Sequence, residues 1–371
     1  MLTYRIYGPS HGTSSFRAVT RGFLEGLHGL GREAWLYPTD LFSDEERETR
    51  GGKATVGIWC GFPAGIGALA LALHRHKFVM VAPNSTITPP FLFDKIRRAG
   101  AEILTPSGWG RGVIEAQTGV RPMVVPHGVL GEFRRSDSLY ANVPLPSRRG
   151  FGRSVLHITS TTGDRKGTLE LVRAWMILRD RGAVKDGDSL TIACDDAGFV
   201  HLARSMAPEF YEAGVGLRVA RAAPGTMRAF YRSFDLVVQP SRAEGFGMAP
   251  LEALAAGVPA VASRGTGHDE WAYPGIPRCT VGLGPRDEYH MIGVPELTVL
   301  PIATGSLAPI DDYEGSEAPS ITALSIAEAL RVAFEQLPDL QDRAEARQES
   351  VFRSWSWPRA IRAFVEHIER T

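Results

Sequence analysis

The most constraining feature of the chain is the run from Asp235 to Ser263, DLVVQPSRAEGFGMAPLEALAAGVPAVAS. It reads as strand, loop, helix, turn, strand. Asp235–Gln239 is a short apolar β run, and Pro240, which has no N–H to give a sheet ladder, stops it. Ser241–Gly247 is a loop with two glycines. Met248–Ala256 is built of good helix formers, Leu251, Glu252, Ala253 and Leu254 among them. Gly257 stands where a helix end favours a left-handed residue, and Pro259 follows it. Val258–Ala262 is the next strand. Strands joined through helices argue for a parallel α/β sheet.

The same run carries chemistry. Glu244 lies in the glycine loop and Glu252 eight residues on, in the helix. Gly245 and Gly247 let backbone come close to a ligand. The N-terminus of the helix, at Met248, leaves amide N–H groups unpaired and carries positive dipole character, which suits a phosphate or sugar oxygen. A carboxylate such as Glu252 suits a vicinal diol, because each oxygen accepts a hydroxyl proton. Taken alone, Glu252 reads as an exposed helix residue.

PSRAEGFGMAPLEALAAGVPAVAS closely resembles the signature of retaining, nucleotide-sugar-dependent glycosyltransferases of the GT-B fold, the glycogen-synthase-like and sucrose-synthase-like group. The resemblance implies an α/β fold of two Rossmann-like domains facing each other across a cleft, with a C-terminal helix crossing back to the first. It implies that Glu244 and the loop amides of Gly245, Phe246 and Gly247 hold the donor sugar and that Glu252 holds the ribose. Ser241 and Met248, at the loop's two ends, join the donor-binding group. No cofactor is expected beyond the nucleotide-diphosphate sugar as co-substrate, and no metal, since helix dipoles and basic side chains take its place in the GT-B family.

Before this run, strands are expected at Tyr4–Tyr7, Thr55–Trp59, Phe78–Ala82, Glu102–Thr105 and Met123–Val125, and a helix at Phe16–Leu30 with Phe16, Val19, Phe23 and Leu27 on one face. The loop Gly8–Ser15 stands at a strand's C-terminal end, where open α/β sheets bind ligands. Gly12 and the amides of Thr13–Ser15 are candidates to face a diphosphate, and His11 is a candidate hydrogen-bond donor near the reacting sugar. Gly65-Ile66-Gly67-Ala68-Leu69-Ala70 matches a dinucleotide fingerprint but lacks an acidic residue about 20 positions on, so a nicotinamide cofactor is rejected. Asn84 and His127 follow strands and are candidates to border the cleft and the acceptor.

Residues 130–153 are rich in Arg, Ser, Pro and Gly and read as the hinge; Arg148, Arg149 and Arg153 are either solvated or a polyanion contact. Val155–Thr159 opens a second α/β unit, and Ser160–Gly167 leads into a helix. By the resemblance, Lys166 and Arg165 face the donor diphosphate, where fixed cations stabilise charge developing on the leaving group. Further strands are expected at Leu190–Ala193 and Gly216–Val219, with Val219, Ala220 and Arg221 near the base and a helix from near Gly225. Asp186-Gly187-Asp188 formally matches a metal-binding pair but reads as a turn. His74 and His76, two apart, share no helix face. Residues 264–322, rich in Pro and Gly, depart from the family pattern; a lid, an acceptor element or surface decoration all fit, and the likeness to phage-type relatives is loose. Ala323–Gln336 and Asp339–Trp355 are helical, and Trp355-Ser356-Trp357 with Pro358–Arg370 resembles the family's closing segment.

The 371 residues suffice for two domains: 1–130 for the acceptor, a linker 131–153, 154–355 for the nucleotide sugar, and 356–371 packing on the first. With 44% hydrophobic and 22% charged residues the chain is expected to be a soluble globular protein, and no membrane span or signal peptide is expected. Cys60, Cys194 and Cys279 fit reduced thiols in a cytoplasm. The formal net charge is zero, with a basic surplus in residues 1–150 offset beyond. The expected activity is glycosyl transfer from a UDP- or GDP-sugar to a saccharide, lipid or small-molecule hydroxyl. The alternatives are a hydroxymethylated base in DNA as acceptor, a nucleotide-sugar epimerase, or a non-catalytic nucleotide-sugar-binding protein.

Overall fold

The computed structural model describes residues 2–10, 15–39, 55–61, 74–83, 85–134, 144–159, 164–219, 226–272, 299–310 and 316–371. His11, Gly12, Asn84, Gly65–Ala70, Ser160–Gly163, Ala220, Arg221 and Cys279 lie outside them. The described chain forms two compact units: residues up to Gly131 with Trp355–Thr371, and Glu132 to Ser354.

The first unit holds a parallel sheet of β1 (Thr3–Gly8), β2 (Glu33–Pro38), β3 (Val56–Trp59), β4 (His76–Met80), β5 (Glu102–Thr105) and β6 (Met123–Val124), in the order β2-β1-β3-β4-β5-β6. The edge strand β2 is not anticipated from the sequence. Its inward residue is only Ala34, and its largest side chain, Trp35, is 42% exposed, so the apolar alternation that marks a strand is missing. Helix α1 (Ser15–Gly29) buries Val19, Phe23 and Leu27, as its periodicity predicts, and also Gly22 and Gly26.

Those two glycines are explained by the C-terminus. A Cβ on Gly22 would stand 1.8 Å from the Trp357 ring, and one on Gly26 would stand 2.7 Å from Ile361. Trp357 packs 5.5 Å from Phe23, and Phe364 meets Phe23 and Phe78 edge-on. The Val129 N–H donates to the Trp355 carbonyl at 2.7 Å. The last residues are thus an integral layer of the first unit.

The second unit repeats the plan with β7 (Ser154–Ile158), β8 (Ser189–Cys194), β9 (Gly216–Val219), β10 (Leu236–Gln239), β11 (Ala260–Ser263) and β12 (Val299–Ile302), all parallel, in the order β12-β11-β10-β7-β8-β9. Helices α2 (Thr168–Asp180) and α3 (Ala323–Glu335) cover one core, in which Trp175 meets Phe334 edge-on. Beyond β12 an antiparallel hairpin, β13 (Leu307–Pro309) and β14 (Glu317–Pro319), stands apart from the sheet. Thus part of the 264–322 region is regular structure that its Pro and Gly content conceals.

The linker arginines have partners within the second unit. Arg148 donates to Asp342 at 2.7 Å, Glu345 at 2.9 Å and Gln341 at 3.2 Å. Arg149 donates to the Pro144 carbonyl. Arg153 is paired with Asp188 and lies 4.0 Å from the centre of the Phe334 ring. Asp188 also accepts the Lys185 and Arg153 N–H groups, so Asp186-Gly187-Asp188 is a turn whose second carboxylate serves Arg153. Buried Asp235 accepts the N–H and hydroxyl of both Ser147 and Ser154, which binds the chain before β7 to β10. Cys60 and Cys194 are buried, and no described helix is long and apolar enough to cross a membrane.

Candidate active site

In the second sheet the chain steps outward from β7 through β8 and β9, then returns to the other side of β7 for β10, β11 and β12. β7 and β10 are therefore the neighbours at which the winding reverses. The loops leaving their C-terminal ends part in opposite directions, and open α/β sheets hold ligands in the crevice this creates. Lys166 follows β7, and Glu244 follows β10.

The two side chains meet there. Lys166 Nζ donates to Glu244 Oε1 at 2.5 Å, and Arg165 Nη1 stands 4.0 Å from Oε2. Ser241 Oγ donates to the same Oε1 at 2.7 Å and Gln239 Nε2 approaches it at 3.3 Å. Burial alone would raise the Glu244 carboxyl, but Lys166, Arg165 and the Ser241 hydroxyl overcome it and hold the group at about 2. Burial lowers Lys166, and Arg165 adds to that, while Glu244 opposes it. Ser241, expected to bind the donor, has its hydroxyl engaged in orienting Glu244.

Beneath the pair lies a buried polar seam. His157 Nδ1–H donates to the Val238 carbonyl at 3.1 Å, which leaves Nε2 to accept the Thr168 hydroxyl at 3.1 Å; Thr168 in turn accepts from Thr159 at 3.0 Å. Burial pushes His157 down to about 4, so the ring is neutral. This seam joins β7, β10 and the start of α2. Gly167, which caps α2, has φ +64°, and a Cβ there would stand 2.1 Å from the Pro240 carbonyl oxygen. Only a glycine lets the Lys166 turn seat against the loop after β10.

The glycine loop is shaped by a second turn. The Gly267 N–H donates to the Glu244 carbonyl at 2.9 Å, and a Cβ on Gly267 would stand 2.2 Å from the Gly245 oxygen. Gly247 takes φ +80° against His268 and caps helix α4 (Met248–Ala255). His268 donates from Nε2 to the Ser263 carbonyl and accepts the Thr266 hydroxyl at Nδ1. Trp271 Nε1 donates to the Phe246 carbonyl at 2.8 Å. Met248 opens α4 and is partly buried.

Glu252 is a partly buried member of α4, bonded within the fold. Tyr231, at the end of the short helix α5 (Met227–Tyr231), donates its hydroxyl to Glu252 Oε2 at 2.7 Å. Burial pushes Glu252 up to about 7; the Tyr231 bond lowers it, and the charge of Glu132 raises it. The sequence reading misses Tyr231, Gln239 and His157. A polar residue inside an otherwise apolar strand, as at His157 and Gln239, was the available signal. Tyr231, in a short helix of mixed composition, offered none.

His127, the candidate acceptor contact, is buried in the first unit, its ring 5.7 Å from that of Trp357, and burial pushes it down to about 3. The ring is neutral there. Among the described residues no three His, Cys, Asp or Glu side chains cluster as a metal site would require.

Residues 152–289 match the family model of group 1 glycosyl transferases. Structural likeness extends over the whole chain. The crystal structure of HepE from Anabaena in complex with UDP and glucose superposes with a TM-score of 0.68 at 12% identity, covering 100% of each chain. The fold is that of the GT-B glycosyltransferases. Sucrose-phosphate synthase from Thermosynechococcus elongatus gives a TM-score of 0.64 at 11% identity, covering 100% of this chain and 99% of its own. A shorter likeness, 62% identity over 34 residues, links the chain to the lipopolysaccharide core biosynthesis mannosyltransferase LpsB of Rhizobium meliloti; it spans 9% of this chain and 10% of that protein.

Proposed function

We propose that the chain transfers a glycosyl group from a nucleotide-diphosphate sugar to an acceptor hydroxyl with retention of anomeric configuration. The observation that carries the reading is the Lys166–Glu244 pair at the point where the sheet reverses. The match of residues 152–289 to group 1 glycosyl transferases supports it.

In this reading Glu244, kept ionised by Lys166, accepts hydroxyl protons of the donor sugar together with the adjacent loop. An ammonium has three donors, and Lys166 gives one to Glu244; in this reading the others, with Arg165, bind diphosphate oxygens. Glu252 accepts the ribose hydroxyls. As the sugar–phosphate C–O bond breaks, negative charge grows on the departing diphosphate, and the fixed cations stabilise it. The acceptor oxygen forms the new C–O bond on the same face, and its proton passes to the departing phosphate oxygen. No protein nucleophile or metal ion is required.

The test is a thermal-shift screen with UDP-, GDP-, ADP- and TDP-sugars, followed by NMR of the anomeric proton of any product. HepE has been seen with UDP-glucose, so UDP-hexoses come first. The expected result is stabilisation by one nucleotide sugar, insensitive to chelator, and a product of unchanged anomeric configuration. The absence of a shift with every donor would overturn the reading; an inverted product would overturn the mechanism.

A further inference from the structure

Arg242 lies between Ser241, which orients Glu244, and Ala243, whose carbonyl accepts Arg165 Nη1 at 2.9 Å. The Arg242 N–H donates to the Arg165 carbonyl at 2.8 Å. Its guanidinium turns toward the hairpin. There it donates from Nε to the Pro319 carbonyl at 3.2 Å and from Nη2 to the Ala308 and Pro309 carbonyls at 3.1 and 2.9 Å. The residue is only 9% exposed. A small apolar cluster of Ala243, Ile310 and Ala318 already docks the hairpin on the loop.

Apolar contact already attaches the hairpin, and the guanidinium contacts come in addition to it. What they add is direction: a planar fork of donors fixes both strands against one point of the loop. One residue thereby joins three segments, the turn after β7, the loop after β10 and the hairpin. We infer that Arg242 is a positioning residue, which braces Ser241–Glu244 against the hairpin so that the Glu244 carboxylate is held at Lys166. In this role the hairpin supports the donor sugar's contact. This rests on the reading of Glu244 as a sugar contact.

The test compares Arg242→Ala and Arg242→Lys with the parent chain. Glu244 is assigned to the sugar and Glu252 to the ribose, so the brace matters for the nucleotide sugar and not for the bare nucleotide. The Ala variant is expected to bind nucleoside diphosphate within about twofold of the parent, while affinity for the nucleotide sugar and turnover fall by about tenfold or more, as small displacements of a contact group do. Arg242→Lys restores part of the loss. A proportional loss for nucleotide and nucleotide sugar would reduce Arg242 to a general stability role and overturn the inference; so would no loss for either. A second readout needs no ligand: amide exchange at Ser241–Gly247 and at the hairpin strands is expected to quicken in Arg242→Ala, with β10 and α4 unchanged. Unchanged exchange would sink the brace. Quickened exchange in a chain that binds no donor would keep the brace and discard the donor reading.

Discussion

Tyr231 and Glu252, which lie on separate helices, share a 2.7 Å hydrogen bond in which the phenol is the donor. The bond fixes one carboxyl oxygen and partly counters the burial that lifts Glu252 to about 7. A group there is half ionised at neutral pH. In the proposed role only the ionised form accepts two ribose hydroxyls, so apparent affinity scales with its fraction. Nucleotide-sugar binding, in which the diphosphate has no ionisation in this range, is expected to tighten by up to about tenfold from pH 6 to pH 8, measured by titration calorimetry. Tyr231→Phe removes a lowering influence, so the midpoint should move upward. Glu252→Gln should weaken binding and flatten its pH dependence; a flat profile in the parent chain would remove Glu252 from the ribose site.

The two glutamates also predict opposite pH effects on stability. Glu252 is raised from 4.5 to about 7, so the folded state holds the proton more tightly. Its contribution is fully present below 4.5 and is lost as pH rises through 7. Glu244 is lowered from 4.5 to about 2, so its contribution is present above 4.5 and is lost as pH falls through 2. Melting curves should therefore show Glu252→Gln more stable than the parent at pH 8, by about 3 kcal/mol at most, with the gap closing below pH 4.5. Glu244→Gln should be less stable at pH 7, and that gap should close in acid.

Removing one member of the Lys166–Glu244 pair leaves a buried charge short of its partner, which costs about 3–5 kcal/mol in comparable sites. Lys166→Met should fall near the low end, because Ser241, Gln239 and the more distant Arg165 still face Glu244. The double variant Lys166→Met with Glu244→Gln should cost clearly less than the two single changes combined. Urea denaturation checks both points. All three variants should lose turnover.

Much of this architecture was legible in the sequence because the relevant signals are local. Pro240 ends a strand, Gly257 follows a helix end, and Val19, Phe23 and Leu27 keep a helical period; each was readable in place. What could not be read depends on partners distant along the chain. Nothing near Gly22 announces that Trp357 will fill its place. Arg148 and Arg153 resembled a charged linker because Asp342, Glu345 and Asp188, which engage them, lie far off in sequence. Arg242 sits within the signature itself, but its hairpin partners are more than sixty residues on. The local signature and its family resemblance single out the two glutamates; the environments that drive one to about 2 and the other to about 7 are tertiary.

Gly167 offers the sharpest separation of shape from composition. It shares a positive φ with Gly182, +64° against +70°, but a Cβ on Gly182 would meet nothing within 4 Å. Both substitutions to Ala carry the left-handed backbone cost, about 1–2 kcal/mol. Only Gly167→Ala must also push its turn off the Pro240 carbonyl, since a Cβ at 2.1 Å from that oxygen is untenable. That displacement carries Arg165 and Lys166 away from the loop after β10. Gly182→Ala is therefore expected to lower stability modestly and leave donor binding and turnover unchanged. Gly167→Ala should cost at least about 2 kcal/mol more and reduce turnover severely. Denaturation midpoints and initial rates, measured side by side, decide it: equal behaviour of the two variants would mean that the seating of the Lys166 turn on Pro240 has no part in building the site.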